Sequence, residues 1–333
     1  GIKDVEKKVY TTNWEKYFPV SSKDEDKILS AFNKEFKTNI TKEQINSTEV
    51  MARVLDDVKM GDDVMVKGTP TIVIATRKSK LALWQSEYIK AELLKHYPDM
   101  VIELKTFSTK ADKILDVPLA KIGGKGLFTK ELEIALENKE ADIAVHSLKD
   151  VPVEFEEGFV LAALTKRFDP RDAFLSEKYA SISDLPNGAI IGTTSLRRRM
   201  ELKLLRPDIE LKDLRGNINT RIAKLKAGEY DAIILAATGV QKLQIEDEVK
   251  YFTPISIDEM IPSMGQATLG IETLDNPELI ELLSVLHDKN AEIKSTIERS
   301  FVHTLEGGCQ VPIGVKATIL DENSVDVRAI VGM

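Results

Sequence analysis

The 333-residue chain is predicted to be an α/β protein of two or three domains with largely parallel sheets. Three observations lead there. Short apolar runs alternate with amphipathic segments from residue 72 onward. Arginines, lysines and glycines collect just after those runs, at the carboxyl ends of strands, where open α/β sheets place ligands. Turn signals, Pro-Asn-Gly at 186–188 and Phe168-Asp169-Pro170-Arg171, separate blocks of the same texture.

The strands are expected at 72–75, 101–104, 143–145, 189–191, 210–211 and 232–235, most of them brief apolar runs. Two further strands are expected at 314–320 and 325–331. Helices are expected at 81–94, 128–137, 196–205 and 219–227, with one long helix from 276 to about 301. Residues 1–70 read differently. They are rich in lysine and acids, with helical spacing at Ile28, Leu29, Phe32 and Phe36 and capping hydroxyls at Thr41 and Ser47.

Composition excludes several classes. Lys plus Arg is 46 and Asp plus Glu is 54, a net charge of −8, which argues against a general nucleic-acid surface. No apolar run reaches the length of a membrane span, and no signal-peptide core follows the first residues. One cysteine can form neither an internal disulfide nor a multi-cysteine metal site, so the cytoplasm is the expected compartment. The four histidines, at 96, 146, 287 and 303, lack zinc-type spacing and read as structural or solvated.

That cysteine, Cys309, follows Gly307-Gly308 and precedes Gln310-Val311-Pro312. The residue alone is open to three readings: packed thiol, nucleophile or attachment point. Other motifs bear charge. The loop Lys121-Ile122-Gly123-Gly124-Lys125-Gly126 precedes a helix and suits an anion, although the Gly-Lys-Ser/Thr of a P-loop is missing. His146-Ser147-Leu148-Lys149-Asp150-Val151-Pro152 follows a strand, and Asp150 could be a turn residue or a functional carboxylate. Thr193-Thr194-Ser195-Leu196-Arg197-Arg198, Leu214-Arg215-Gly216-Asn217 and Ala75-Thr76-Arg77-Lys78-Ser79 are three more strand-end sites with arginine. Together they imply a pocket for a ligand with several negative groups.

These motifs, with Asp169-Pro170-Arg171-Asp172-Ala173 and Tyr230-Asp231-Ala232-Ile233-Ile234, occur in the order found in porphobilinogen deaminases (hydroxymethylbilane synthases). The resemblance runs from about residue 72 to 333. It implies two lobes like those of periplasmic binding proteins around a cleft, plus a third, small α/β domain. Domain 1 would be 71–168 with 264–285, domain 2 would be 169–263 and domain 3 would be 286–333. It implies a transferase that joins four porphobilinogen units head to tail, with loss of ammonia, onto a dipyrromethane primer held covalently by Cys309. Asp150 would be the catalytic carboxylate. Lys149, Ser195, Arg197, Arg198 and Arg215 would hold the cofactor, and Arg77, Ser79 and Lys125 the substrate. No metal is implied. The expected partner is the small-molecule substrate, without nucleic acid or membrane, and the expected state is a monomer. The competing reading is a two-lobed anion-binding protein without catalysis, which needs neither Cys309 nor Asp150.

Two departures stand beside the resemblance. The third domain is expected to lack a last helix and strand, leaving an apolar sheet face uncovered. At the other end, Gly68-Thr69-Pro70-Thr71 resembles the strand entry of periplasmic thioredoxin-fold disulfide oxidoreductases, a redox role that the missing Cys-x-x-Cys excludes.

Overall fold

A computed structural model describes residues 71–109, 129–154, 157–305 and 311–332. The helical extension expected for 1–70, the loop lysine Lys125 and Cys309 lie outside the described residues. Those described fall into two compact units, one holding Leu94–Glu103 and the first two described residues, the other Val73–Leu93 and the residues from Leu104 on. The site belongs to the second.

The first sheet contains β1 (Thr71–Arg77), β2 (Val101–Phe107), β3 (Ile143–Ser147), β4 (Phe159–Leu164) and β10 (Leu269–Leu274), in the order β2-β1-β3-β10-β4. Helices α1 (Lys80–His96) and α2 (Lys130–Glu137) belong to this part of the chain. Leu132 and Leu136 of α2 pack on Ala75, Ala144 and Phe159. The second sheet contains β5 (Asp172–Ser176), β6 (Ile190–Gly192), β7 (Glu210–Lys212), β8 (Ala232–Ala236) and β9 (Tyr251–Pro254), in the order β7-β6-β8-β5-β9. Its helices are α3 (Leu196–Leu205), α4 (Ile218–Lys226) and α5 (Ala237–Lys242).

Strand β8 shows why a continuous apolar run is needed. Ile233 and Leu235 face Ile222 and Leu225 of α4, whereas Ala232 and Ile234 face Leu202 of α3. Side chains alternate across a strand, so a strand covered on both faces cannot alternate apolar with polar.

The parallel pairs β1–β3, β6–β7 and β6–β8 follow the expectation. The sheets are nevertheless mixed, which corrects the expected parallel architecture. β10 runs antiparallel to both β3 and β4, and β5 antiparallel to both β8 and β9. The reason is topological. The chain leaves the first sheet after β4 to start β5, and returns after β9 to form β10. The two crossing segments are hydrogen-bonded to each other: Thr165 N donates to Leu269 O (3.0 Å) and Phe168 N to Ala267 O (2.8 Å). Ala267 holds φ +71°, a left-handed conformation uncommon outside glycine.

The long C-terminal helix expected from 276 is interrupted. α6 (Pro277–Leu283) ends in a short 3₁₀ turn, and α7 (Lys289–Thr304) starts afresh. Asp288 caps α7 by accepting from Ala291 N at 2.7 Å, while its own N–H goes to Leu164 O. α7 packs on β11 (Ile313–Asp321), which pairs antiparallel with β12 (Ser324–Val331). Val325, Val327 and Val331 of β12 are exposed. Among the described residues, no helix is long and apolar enough to cross a membrane.

Candidate active site

The parallel register of β1 and β3 places their carboxyl ends on one edge. Asp150 sits there, half-buried, in a 3₁₀ turn formed by Leu148–Asp150 directly after β3. The turn is built from backbone and packing. Leu148 is buried and its N–H donates to Thr268 O (2.9 Å), and Val151 N closes the turn on Leu148 O (3.1 Å). Val151 is extended, as the residue before a proline should be. Gly265, at φ +64°, lies against Leu148, where a Cβ would come within 2.9 Å of Leu148 Cγ. The second crossing segment is therefore seated on the turn that carries Asp150.

Beside Asp150, Lys149 donates to Gln266 Oε1 at 3.2 Å. Burial lowers its ammonium to about pKa 8, with Asp150 opposing the shift and Arg198 adding to it. Gln266 turns its amide nitrogen the other way, onto Pro170 O (2.7 Å) and Asp172 Oδ1 (3.0 Å). Asp172 is fully buried and gathers two guanidiniums. Arg198 donates to Oδ1 from Nε (3.1 Å) and Nη2 (2.7 Å), and Arg197 Nη1 lies 2.7 Å from Oδ2. Burial pushes the Asp172 carboxyl up, but the two arginines outweigh it and hold the group well below its ordinary value. Arg197 also pairs with Glu201 (2.9 Å) and donates to Ile261 O (2.8 Å). Burial pushes the Glu201 carboxyl up to about 7.

This corrects one expectation. Arg197 and Arg198, read from sequence as strand-end arginines of a ligand pocket, are not open cleft charges. They are 4% and 7% exposed and tied to Asp172. Removing one partner of a buried ion pair leaves an uncompensated charge, so Arg197→Leu should cost about 3–5 kcal/mol of folding free energy. Urea unfolding of the variant checks this, and an unchanged midpoint would refute it.

Arg215 follows β7, half-buried, and the next residue, Gly216, has φ +110° with Thr220 so close that a Cβ would lie 2.8 Å from its Cγ2. Only glycine suits that corner. It lets Arg221 Nε of α4 reach back to Gly216 O at 2.8 Å. Arg221 was not singled out from sequence, where a lone arginine in a helix reads as a solvated charge. Burial lowers it to about pKa 10, the neighbouring Arg198 and Arg215 push the same way, and Asp150 opposes them. The remaining candidates are more ordinary. Ser79 Oγ caps α1 by accepting from Ala82 N (3.2 Å), and Ser195 Oγ caps α3 by accepting from Arg198 N (3.4 Å). Arg77 closes β1 on the same edge as Asp150. His146, read as structural or solvated, is buried against Glu272 at 2.7 Å.

Lys149, Arg197, Arg198, Arg215 and Arg221 thus share one cluster with Asp150, Asp172 and Glu201. Lys149 and Arg221, lowered first by burial and then by neighbouring guanidiniums, favour an anionic ligand, and a cofactor with several carboxylates fits them.

Comparison with known proteins agrees. The model described as "Porphobilinogen deaminase, dipyromethane cofactor binding domain" matches residues 72–281, and that described as "Porphobilinogen deaminase, C-terminal domain" matches 293–333. The chain belongs to the porphobilinogen deaminase family. It is 77% identical over 262 residues to the porphobilinogen deaminase of Aliarcobacter butzleri, covering 79% of this chain and 84% of that one. The porphobilinogen deaminase of Sulfurimonas denitrificans is 57% identical over the same shares. Among solved structures, the probable amino-acid ABC transporter extracellular-binding protein of Bacillus subtilis matches at 16% identity and a TM-score of 0.40, covering 70% of this chain and 97% of that one. Membership makes the chain an enzyme, a transferase of tetrapyrrole biosynthesis with a dipyrromethane cofactor, and disfavours the binding-only reading.

Proposed function

We propose that this enzyme builds hydroxymethylbilane from porphobilinogen through Asp150, with the cation cluster around it as the carboxylate-holding surface. The observation that carries this is the place of Asp150 at the carboxyl end of β3, next to Lys149 and within electrostatic reach of Arg221, with Lys149 joined through Gln266 to the Arg197–Asp172–Arg198 cluster. In this reading Cys309 carries the dipyrromethane through a thioether. Lys149, Ser195, Arg197, Arg198 and Arg215 hold it, and Arg77, Ser79 and Lys125 meet the incoming substrate. Because Arg197 and Arg198 are both spent largely on Asp172, their part is mainly to fix the N-terminus of α3, and Lys149, Arg215 and Arg221 supply most of the field. The division into domains 71–168 with 264–285, 169–263 and 286–333 is supported by the two separate sheets and the β11–β12 hairpin. A monomer working in the cytoplasm, without nucleic acid, completes the proposal.

The residues account for the chemistry. When bound, the dipyrromethane supplies the pyrrole ring to which the first substrate unit is joined. Porphobilinogen loses ammonia from its aminomethyl group and becomes cationic. The Asp150 carboxylate would stabilise that charge and take up the proton released when the new carbon–carbon bond is complete. Guanidiniums hold the acetate and propionate groups in paired hydrogen bonds, which fixes the ring against Asp150.

Lys149 provides the test. Its ammonium is present below about pH 8 and is lost above it. If it holds a carboxylate, which itself favours the ammonium, kcat/KM should fall as pH rises above about 8. A charge-assisted bond contributes about 1.5–3 kcal/mol, so the loss should be at least about tenfold. Lys149→Met should be slow at every pH and lack this limb. A limb that survives in Lys149→Met would count against the assignment.

A further inference from the structure

Arg299 of α7 makes a contact that the proposed reaction leaves unexplained. Its guanidinium donates to three successive carbonyls, Val151 O (3.2 Å), Pro152 O (2.5 Å) and Val153 O (3.1 Å). These carbonyls belong to the segment immediately after Asp150. Pro152 has no N–H and interrupts any ladder, so the segment cannot satisfy its own carbonyls as a helix or strand would. A planar fork with five N–H groups can collect several acceptors at once in a fixed geometry. Lysine cannot reproduce that.

The next residue back, Glu298, faces a different way. It is fully buried and accepts from Arg167 Nη1 (2.6 Å), Gly265 N (2.8 Å) and Ala317 N (2.9 Å). Those anchors pin α7 to both crossing segments and to β11. Arg299 therefore stands on a helix that is itself fixed, and transmits that fixity to the Asp150 turn. α7 ends at Thr304, just ahead of Cys309 in sequence.

We propose that Arg299 is a positioning residue, which sets the place of Asp150 by clamping the carbonyls of residues 151–153 to α7. The proposal rests on the catalytic reading of Asp150. It gives Arg299 no contact with substrate. Its effect runs through the turn, and a misplacement of the order of 1 Å in a reacting group costs about 10²-fold in rate.

The experiment compares Arg299→Ala, Arg299→Lys, Asp150→Asn and the Arg299→Ala/Asp150→Asn double variant in the full-length chain. Turnover, KM and amide exchange over residues 147–153 are measured. Arg299→Ala should lower kcat by about 10²-fold with little change in KM, and speed exchange in that segment. Arg299→Lys, which keeps the charge and a donor or two, should fall between. Arg299 lines a solvent-connected cavity of about 530 Å³ with Ser295, Thr296 and His303, so millimolar guanidinium has access and should restore part of the lost kcat in Arg299→Ala. The double variant should be no slower than Asp150→Asn alone, because one loss already contains the other. Losses that multiply would show that Arg299 acts elsewhere and overturn the proposal, as would a wild-type kcat with unchanged exchange in Arg299→Ala. Wild-type turnover in Asp150→Asn would instead overturn the reading of Asp150. Should Arg299→Ala fail to fold, the Arg299→Lys arm, alone and with Asp150→Asn, decides by the same criteria.

Discussion

Asp150→Asn should reduce turnover by about 10²–10³-fold, the usual effect of removing one aimed electrostatic group, and leave the fold intact. The second half of that expectation follows from how the turn is made. Leu148 and Val151 close it through backbone bonds to Thr268 and to each other, so the turn is held without the Asp150 side chain. Asparagine has the same size and serves turns nearly as well. A role confined to the turn therefore leaves both turnover and thermal midpoint almost untouched, whereas a catalytic role separates them. Asp150→Glu keeps the charge but displaces it by one methylene, so it should lie between wild type and Asp150→Asn. Steady-state kinetics and a thermal melt of the three proteins decide. Near-normal turnover in Asp150→Asn would falsify the assignment.

Cys309→Ala should abolish activity altogether, because the primer has no other thiol to join in a chain with a single cysteine. Nucleophilic capture of a cationic methylene carbon by sulfur forms one C–S bond and releases the thiol proton. The purified wild-type chain should therefore weigh more than its bare sequence by one dipyrromethane, and react with Ehrlich's reagent. The alanine variant should show the bare mass and no colour. A wild-type protein at its bare mass, yet active, would remove Cys309 from the mechanism.

Much of this was readable from sequence, for identifiable reasons. Runs such as Ala232-Ile233-Ile234-Leu235 show themselves because both faces of β8 are buried. β10 does not, since Glu272 interrupts its apolar run in order to meet His146 across the sheet. β5 opens with Asp172, and the Asp-Pro-Arg-Asp stretch looks like a turn until the guanidiniums of Arg197 and Arg198 are seen to converge on it. The strand-end arginines were legible as a group. Their division of labour was not, because burial depends on what lies across the fold. Arg221 and Gln266 belong to the same class. One looks like a solvated helix charge and the other like an ordinary amide, and only the contacts with Gly216, Lys149 and Asp172 give them a place.

The paired crossings between the two sheets have a mechanical consequence. A single tether lets two bodies swivel freely, whereas two tethers laced together at Thr165–Leu269 and Phe168–Ala267 behave like a strap. A strap bends about one axis and resists torsion, since twisting would shear the bonds between its halves. Ala267, already committed to a left-handed backbone, removes further slack from one half. The second sheet, which bears the guanidiniums of Arg197 and Arg198, is thus joined to the Asp150 edge of the first by a doubled link, a stiffer coupling than one loop would give.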